Sequence, residues 1–332
     1  LAEVFPHTRS SIGGQAGIIA NQISLLGGQS ILYTSQLSPK LARLFSPRVK
    51  FPTVANRHLS FESVHDAAKT LQHSVSWVIE FKKGDAVKFG GSVFIAPRSN
   101  RLILSSPHFQ QPFFEPQLVH HLPELGERIN AAIISGYDSL MPVSEDGQTP
   151  EYYLSIEELY LKMLNAHKHI PIHVEYSSTQ NSKVDKEIYE HVAKHVDSLG
   201  LNEIELIELA ETLKFGKEAR QIVANENVVT LHAAAEKVFC ELKLKRLHVH
   251  ILGYHLVLLK KPVDVRYQHR QVNSLLFGSL AATSRAVKGR EVTRGEVQDA
   301  LQVSVSEEGF NQMARMCGYL SLSRIRAEHA LL

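Results

Sequence analysis

Short apolar runs and helix-forming stretches alternate along most of this chain, and their order predicts its architecture. Near the start, Gly13-Gly14-Gln15-Ala16-Gly17 leads straight into Ile18, Ile19, Ala20, Ile23, Leu25 and Leu26, which reads as a tight glycine turn opening onto a helix. Residues 30–34 read as a short buried strand. Residues 75–81 alternate in part and stop at Lys83-Gly84-Asp85, a turn signal. Residues 86–89, 92–96 and 101–104 read as further strands with no helix between them, which predicts a β-rich excursion serving as a lid. From residue 131 the pattern becomes β/α. Ala131 to Gly136 is an apolar strand ending in small residues, 155–166 a helix, 170–176 a strand and 183–198 a helix. Helices follow at 203–213 and 233–244, then a strand at 247–251 and a Leu- and Ala-rich helix at 272–287. Continuous apolar strands alternating with helices predict an α/β fold with a mostly parallel central sheet flanked by helices. In such sheets a ligand sits beyond the carboxyl ends of the strands.

Composition narrows the function classes. The 332 residues suffice for one large domain or a domain with a lid, and 44% hydrophobic with 21% charged residues is ordinary for a globular protein. A net charge of +2 gives no field that points to nucleic acid. No apolar run reaches the ~20 residues of a membrane span, and no basic segment followed by an apolar one marks a leader. Only Cys240 and Cys317 occur, without metal-site spacing, so a reducing, cytoplasmic setting is expected. The chain starts at Leu1 rather than Met, as an internal piece of a longer protein would.

Five groups carry candidate chemistry, each following a strand or opening a helix. The Gly13 to Gly17 turn presents unpaired N–H groups to a sugar or phosphate, or serves only helix packing. His173 and Glu175 share one face of a strand end, where a carboxylate suits hydrated Mg²⁺ or caps a loop. Asn202 and Glu205, three residues apart, form a capping box by spacing; a magnesium role requires Glu205 to face the cleft. The run from Arg246 to His255 places two histidines on one strand face ahead of Gly253 and Tyr254, a structural pair or one wall of a purine pocket. Arg98 and Arg101, in Ala96-Pro97-Arg98-Ser99-Asn100-Arg101, either reach phosphate as forked donors or are solvated surface.

Taken in order, these groups resemble the ADP-dependent glucokinase and phosphofructokinase family. The resemblance rests on Gly13-Gly14-Gln15-Ala16-Gly17, Val78-Ile79-Glu80-Phe81 with Gly84, and Pro97-Arg98-Ser99-Asn100-Arg101. It continues through His173-Val174-Glu175, Gly200-Leu201-Asn202-Glu203-Ile204-Glu205, the Arg246 to Tyr254 run, the helix 275–287 and residues 303–307. The two most specific parts are the Gly-Gly-Gln-Ala-Gly run and the Gly-Leu-Asn-Glu-Ile-Glu hexapeptide.

The resemblance implies a ribokinase-like fold, with residues 1–38 and 106–332 as the nucleotide- and sugar-binding core and 39–105 as the lid. It implies an ADP-dependent sugar kinase of glycolysis that moves the β-phosphoryl of ADP to glucose or fructose 6-phosphate and leaves AMP. Mg²⁺ would be the cofactor, and the sugar and ADP the only partners, with neither nucleic acid nor membrane. Gly13, Gly14 and Gln15 would line the sugar, Arg101, His250 and Tyr254 would approach the nucleotide, and Glu175, Asn202 and Glu205 would serve the metal. The family's catalytic base lies in a C-terminal Gly-x-Gly-Asp that these 332 residues lack. Relative to the family the chain looks truncated at both ends, its first strand preceding Leu1. A homologue that binds sugar or nucleotide without turnover is therefore the alternative, and an ATP-dependent ribokinase relative a third.

Overall fold

The computed structural model describes residues 10–69, 75–89, 91–97, 99–105, 114–144, 147–179, 181–261, 264–323 and 330–331; Arg98 lies outside them. The glycine turn ends at Gly14, whose φ of +74° favours glycine, and helix α1 (Gln15–Leu25) begins at the next residue. Two short helices, α2 (Pro39–Ala42) and α3 (Val64–Ala67), bracket a hairpin of β1 (Lys50–Ala55) and β2 (His58–Ser63). The hairpin turns through Asn56 and Arg57, both at positive φ, the backbone that a tight two-residue turn requires. Strands β3 (Ser76–Phe81) and β6 (Asn100–Ser105) pair with each other, as do β4 (Ala86–Phe89) and β5 (Ser92–Ile95).

The remainder builds the central sheet. In chain order come α4 (Pro116–Val119), α5 (Leu122–Arg128), β7 (Ala132–Ile134), α6 (Pro150–Leu164), β8 (Ile172–Glu175), α7 (Ser182–His191) and β9 (Ser198–Leu201). Helices α8 (Glu203–Thr212), α9 (Gly216–Ala224) and α10 (Val228–Glu241) precede β10 (Arg246–Ile251) and β11 (Tyr254–Leu259), and α11 (Val265–Lys288), α12 (Glu307–Ser323) and β12 (Ala330–Leu331) close the chain. The sheet order is β12-β11-β10-β9-β8-β7; β7 to β10 run parallel, and β11 and β12 are antiparallel. None of β1 to β6 joins it.

The two faces of this sheet differ. Ile172, Val174, Leu199, Leu201, Leu247 and Val249 point one way and are fully buried against Val184 and Ile188 of α7, Leu206 and Leu209 of α8 and Leu231 and Val238 of α10. The alternate positions, His173, Glu175, Ser198, Arg246, His248 and His250, make the other face polar. A smaller core joins α1 to the hairpin through Ala20, Leu32, Phe45, Val49 and Phe51. Among the described residues, no helix is long and apolar enough to cross a membrane.

Several elements differ from the sequence expectation. The β1–β2 hairpin and α9 are absent from it, and α10 and α11 begin at Val228 and Val265 rather than at 233 and 272. Residues 30–34 form no ladder: Ile31 makes a single bridge to Lys50, whose strand then turns away to pair with β2. The helix expected over 183–198 ends at His191, and Ser198–Leu201 is instead the strand β9, inside the sheet. Ser-Leu-Gly-Leu is short, carries glycine and is buried at all four positions, so no alternation marks it. Strand β11 follows the Leu252-Gly253 turn, with Gly253 at φ +101°, and its final four residues are a buried apolar run. Helix α6 starts at Pro150, which occupies the first helical position behind Thr149.

Candidate active site

The candidate site is built where the polar face of the sheet reaches its carboxyl edge. Strand register sets His173, Ser198 and Arg246 side by side, and Glu175, Gly200 and His248 side by side one step further on. Gly200 makes this possible: a Cβ there would collide with Glu175 Oε2 and lie 3.0 Å from His173 Nε2. The absent side chain leaves room for Glu175 to turn inward between two strands.

Both Glu175 oxygens receive N–H groups. His250 Nε2 lies 2.7 Å from Oε1 and His173 Nε2 lies 3.2 Å from Oε2. Arg246 Nη1, which can only donate, is 3.3 Å from Ser198 Oγ, and Ser198 Oγ is 2.8 Å from His173 Nδ1. Ser198 accepts from Arg246, and His173 joins that pair to the carboxylate through its two ring nitrogens. Burial alone would raise the Glu175 carboxyl; the hydrogen bonds and charges of His173 and His250 outweigh it and hold it at about 2. Burial pulls His250 down, and the Glu175 bond and charge reverse this, so its affinity for a proton rises above the ordinary value.

Glu205 sits within the field of this group. Burial lifts its carboxyl to about 7, the Asn202 N–H and the His250 charge oppose that, and Glu175 adds to it. Its local bonds are those of a capping box. Asn202 Oδ1 accepts from Ile204 N and Glu205 N, each at 2.9 Å, and Glu205 Oε2 accepts from Asn202 N at 2.8 Å. The cap thus holds Glu205 against the Glu175 edge rather than releasing it to solvent. Among the described residues, no three His, Cys, Asp or Glu side chains converge as a ready metal cage.

The glycine turn divides into two roles. Gly13 and Gly14 line a cleft of about 1340 Å³, and a Cβ on either would meet nothing within 4 Å. Gly17 is a packing residue, since a Cβ there would lie 2.9 Å from Ile12 Cγ2. Helix α1 is tied to the strand ends by Ala16 N, which donates to Ser135 Oγ at 3.0 Å, and by Gln15 Oε1, which accepts from Ser177 Oγ at 3.3 Å. Ser177 lies two residues beyond Glu175, so Gln15 bridges the glycine turn to the carboxylate edge.

Of the remaining expected residues, Tyr254 opens β11 opposite Ile251 and packs on the main core; burial pushes its phenol up to about 12. Arg101 is exposed on β6 opposite Glu80, on a ladder that shares no strand with the central sheet. The sequence reading missed Tyr137 and Glu157, which line the glycine-turn cleft. Tyr137 Oη donates to Glu157 Oε1 at 2.6 Å, Glu157 Oε2 is buried with no partner, and burial raises this carboxyl to about 7. A signal was available: Glu157 falls among Tyr153, Leu154, Leu161 and Leu164, the buried stripe of α6.

The fold matches that of solved ADP-dependent kinases. An ADP-dependent kinase in complex with fructose-6-phosphate and ADPbetaS superposes with a TM-score of 0.86 at 35% identity, covering 97% of this chain and 71% of that one. A hypothetical ADP-dependent phosphofructokinase from Pyrococcus horikoshii gives 0.84 at 27% identity, covering 99% and 74%. The chain belongs to the ADP-specific phosphofructokinase/glucokinase family, whose conserved region it matches over residues 1–317. Curated relatives include the ADP-specific phosphofructokinases of Methanosarcina acetivorans, 31% identical over 91% of this chain, and Pyrococcus furiosus, 30% identical over 91%. The ADP-dependent glucose/glucosamine kinase of Pyrococcus furiosus is 31% identical over 90%. The chain spans 63% of the length of the Methanosarcina relative and 66% of the Pyrococcus phosphofructokinase.

Proposed function

We propose that this chain forms most of an ADP-dependent sugar kinase that transfers the β-phosphoryl of ADP to glucose or fructose 6-phosphate and releases AMP. The observation that carries the reading is the Glu175 edge, a carboxylate held ionised by two histidines beside a second, proton-hungry carboxyl. Phosphoryl transfer is chiefly a matter of positioning and of neutralising phosphate charge. Glu175 and Glu205, whose charges act on one another, would together take a hydrated Mg²⁺, with the Asn202 side-chain oxygen committed to the cap. When bound, Mg²⁺ would supply charge neutralisation at the diphosphate.

The chain's own residues divide the remaining work. Gly13 and Gly14, with open space over their backbone, would take the sugar, and Gln15 would hold that turn to the strand ends. His250 and Tyr254 would flank the nucleotide. Residues 39–105 would act as a lid that excludes water, the competing acceptor, and bring Arg101 toward the phosphates. No residue is assigned as the base, because the 332 residues contain no Gly-x-Gly-Asp. The second reading is a relative that binds sugar or nucleotide without turnover.

The test is AMP release by the purified protein with ADP, Mg²⁺ and either sugar. AMP that appears with one sugar, and not when ATP replaces ADP, upholds the kinase. Calorimetric binding of ADP and sugar without AMP would establish the binding-only reading. No AMP and no binding would remove both.

A further inference from the structure

The polar face of the sheet carries a second recess, under α11 and next to the Glu175 edge, whose carboxylate does not line it. It encloses about 270 Å³ and is lined by Arg246, His248 and His255 from the sheet and by Gln271, Ser274 and Gly278 from the helix. No acidic residue lines it, and no carboxylate lies within ion-pairing distance of Arg246 among the described residues. Arg246 is half-buried; burial works against its charge, and Tyr267 and Glu175 offset that only in part.

The hydrogen bonds inside the recess fix which donors remain. Arg246 Nε donates to Gln271 Oε1 at 3.1 Å and Nη1 to Ser198 Oγ at 3.3 Å. Among the described residues the remaining guanidinium N–H groups have no partner, and the Gln271 amide, accepting through oxygen, keeps its NH₂ as a donor. Ser279 Oγ donates to Leu275 O, so His255 Nε2 donates to it at 3.0 Å and His248 Nε2 donates to His255 Nδ1 at 3.0 Å; both ring N–H groups are spent within this wall, which carries no anion. Burial, Arg246 and the neighbouring histidines all oppose a proton on His248. Among the described residues Arg246 is therefore the one cation lining the recess, with guanidinium N–H groups and the Gln271 amide left to meet a bound anion.

We propose that this recess binds a small oxyanion of the phosphate class, held by the free N–H groups of Arg246, the Gln271 amide and the Ser274 hydroxyl. A forked guanidinium beside neutral donors matches tetrahedral oxyanion geometry. The volume falls below the about 300–1,000 Å³ of a drug-sized pocket, which excludes a whole nucleotide. The site is distinct from the Glu175 edge beside it, where the nucleotide is placed above.

Gly278 supplies a test that leaves the fold intact. It is exposed in α11, and a Cβ there meets nothing within 4 Å. Gly278→Glu and Gly278→Lys place side chains of similar reach and opposite charge over the recess. Inorganic phosphate titrated calorimetrically at constant ionic strength should bind the wild type saturably, with sulfate competing. The Lys variant should bind at least about tenfold more tightly than the Glu variant, as a single added charge of either sign at close range predicts. Equal affinity in the two variants, or no saturable phosphate binding to the wild type, would overturn the proposal. Binding that survives unchanged in the Glu variant would place the phosphate at the Glu175 edge instead, which also overturns it.

Discussion

Gly200→Ala adds one methyl group at the tightest point of the candidate site. The new Cβ collides with Glu175 Oε2 and lies 3.0 Å from both Cε1 and Nε2 of His173. Gly200 is not at positive φ, so its backbone accepts alanine and the whole cost arises from the two displaced side chains. Overpacking of this kind costs about 1–3 kcal/mol. Losing the His173 bond to an ionised carboxylate costs about 1.5–3 kcal/mol more. A loss of about 2.5–6 kcal/mol is therefore expected, against the about 5–15 kcal/mol of a stable domain. Gly278→Ala is the control, because its Cβ enters open space on an exposed helix and should add about 0.5–1 kcal/mol. Urea unfolding followed by circular dichroism measures both. A Gly200→Ala variant within 0.5 kcal/mol of wild type would refute the close-approach account.

Three further outcomes follow from the buried carboxyls and the glycine turn. Glu175 is held at about 2 against an ordinary 4.5, so its contribution of about 3 kcal/mol is present above pH 4.5 and is lost as pH falls toward 2. Thermal melts of wild type and Glu175→Gln should therefore converge in acid, and parallel curves from pH 6 to pH 3 would contradict this. Glu157 shifts the opposite way: burial raises it to about 7, so stability falls by about 3 kcal/mol as pH rises from 4.5 to 7. Glu157→Gln should flatten that slope in urea titrations at several pH values, and an unchanged slope would remove Glu157 as its source. Gly17→Ala should destabilise by about 1–3 kcal/mol through Ile12, whereas Gly13→Ala should leave unfolding unchanged and alter only sugar affinity, read by calorimetry.

How much of this was legible in sequence varies by element. The strand at 132–134 announced itself by a continuous apolar run, and those at 172–175 and 246–251 by apolar residues at every second position. Strand β9 did not, although it lies between β8 and β10, because Ser198 and Gly200 interrupt its apolar pattern. Those two residues are also what the site requires: one relays hydrogen bonds and the other makes room. The capping box at Asn202 was legible from spacing alone, and the structure contains it. The placement of its Glu205 beside Glu175 was not, since that depends on two strands meeting across 30 residues of chain. Likewise Gly13, Gly14 and Gly17 look equivalent in sequence and separate only when their surroundings are known. The polar recess under α11 had a partial signal in the alternating Arg246, His248 and His250, but its other wall comes from a helix that begins at residue 265.

The measurement that bears most directly on the central claim compares wild type with Glu205→Gln. Glutamine keeps an oxygen to accept from Asn202 N, so the cap survives while the charge is removed. Calorimetric titration with ADP, with and without Mg²⁺, reads the difference. If the Glu175 edge is the phosphoryl-transfer site, wild type binds ADP more tightly with Mg²⁺, and Glu205→Gln loses that gain at unchanged thermal stability. If Mg²⁺ strengthens ADP binding equally in both proteins, Glu205 is a helix cap and nothing more, and the site lies elsewhere.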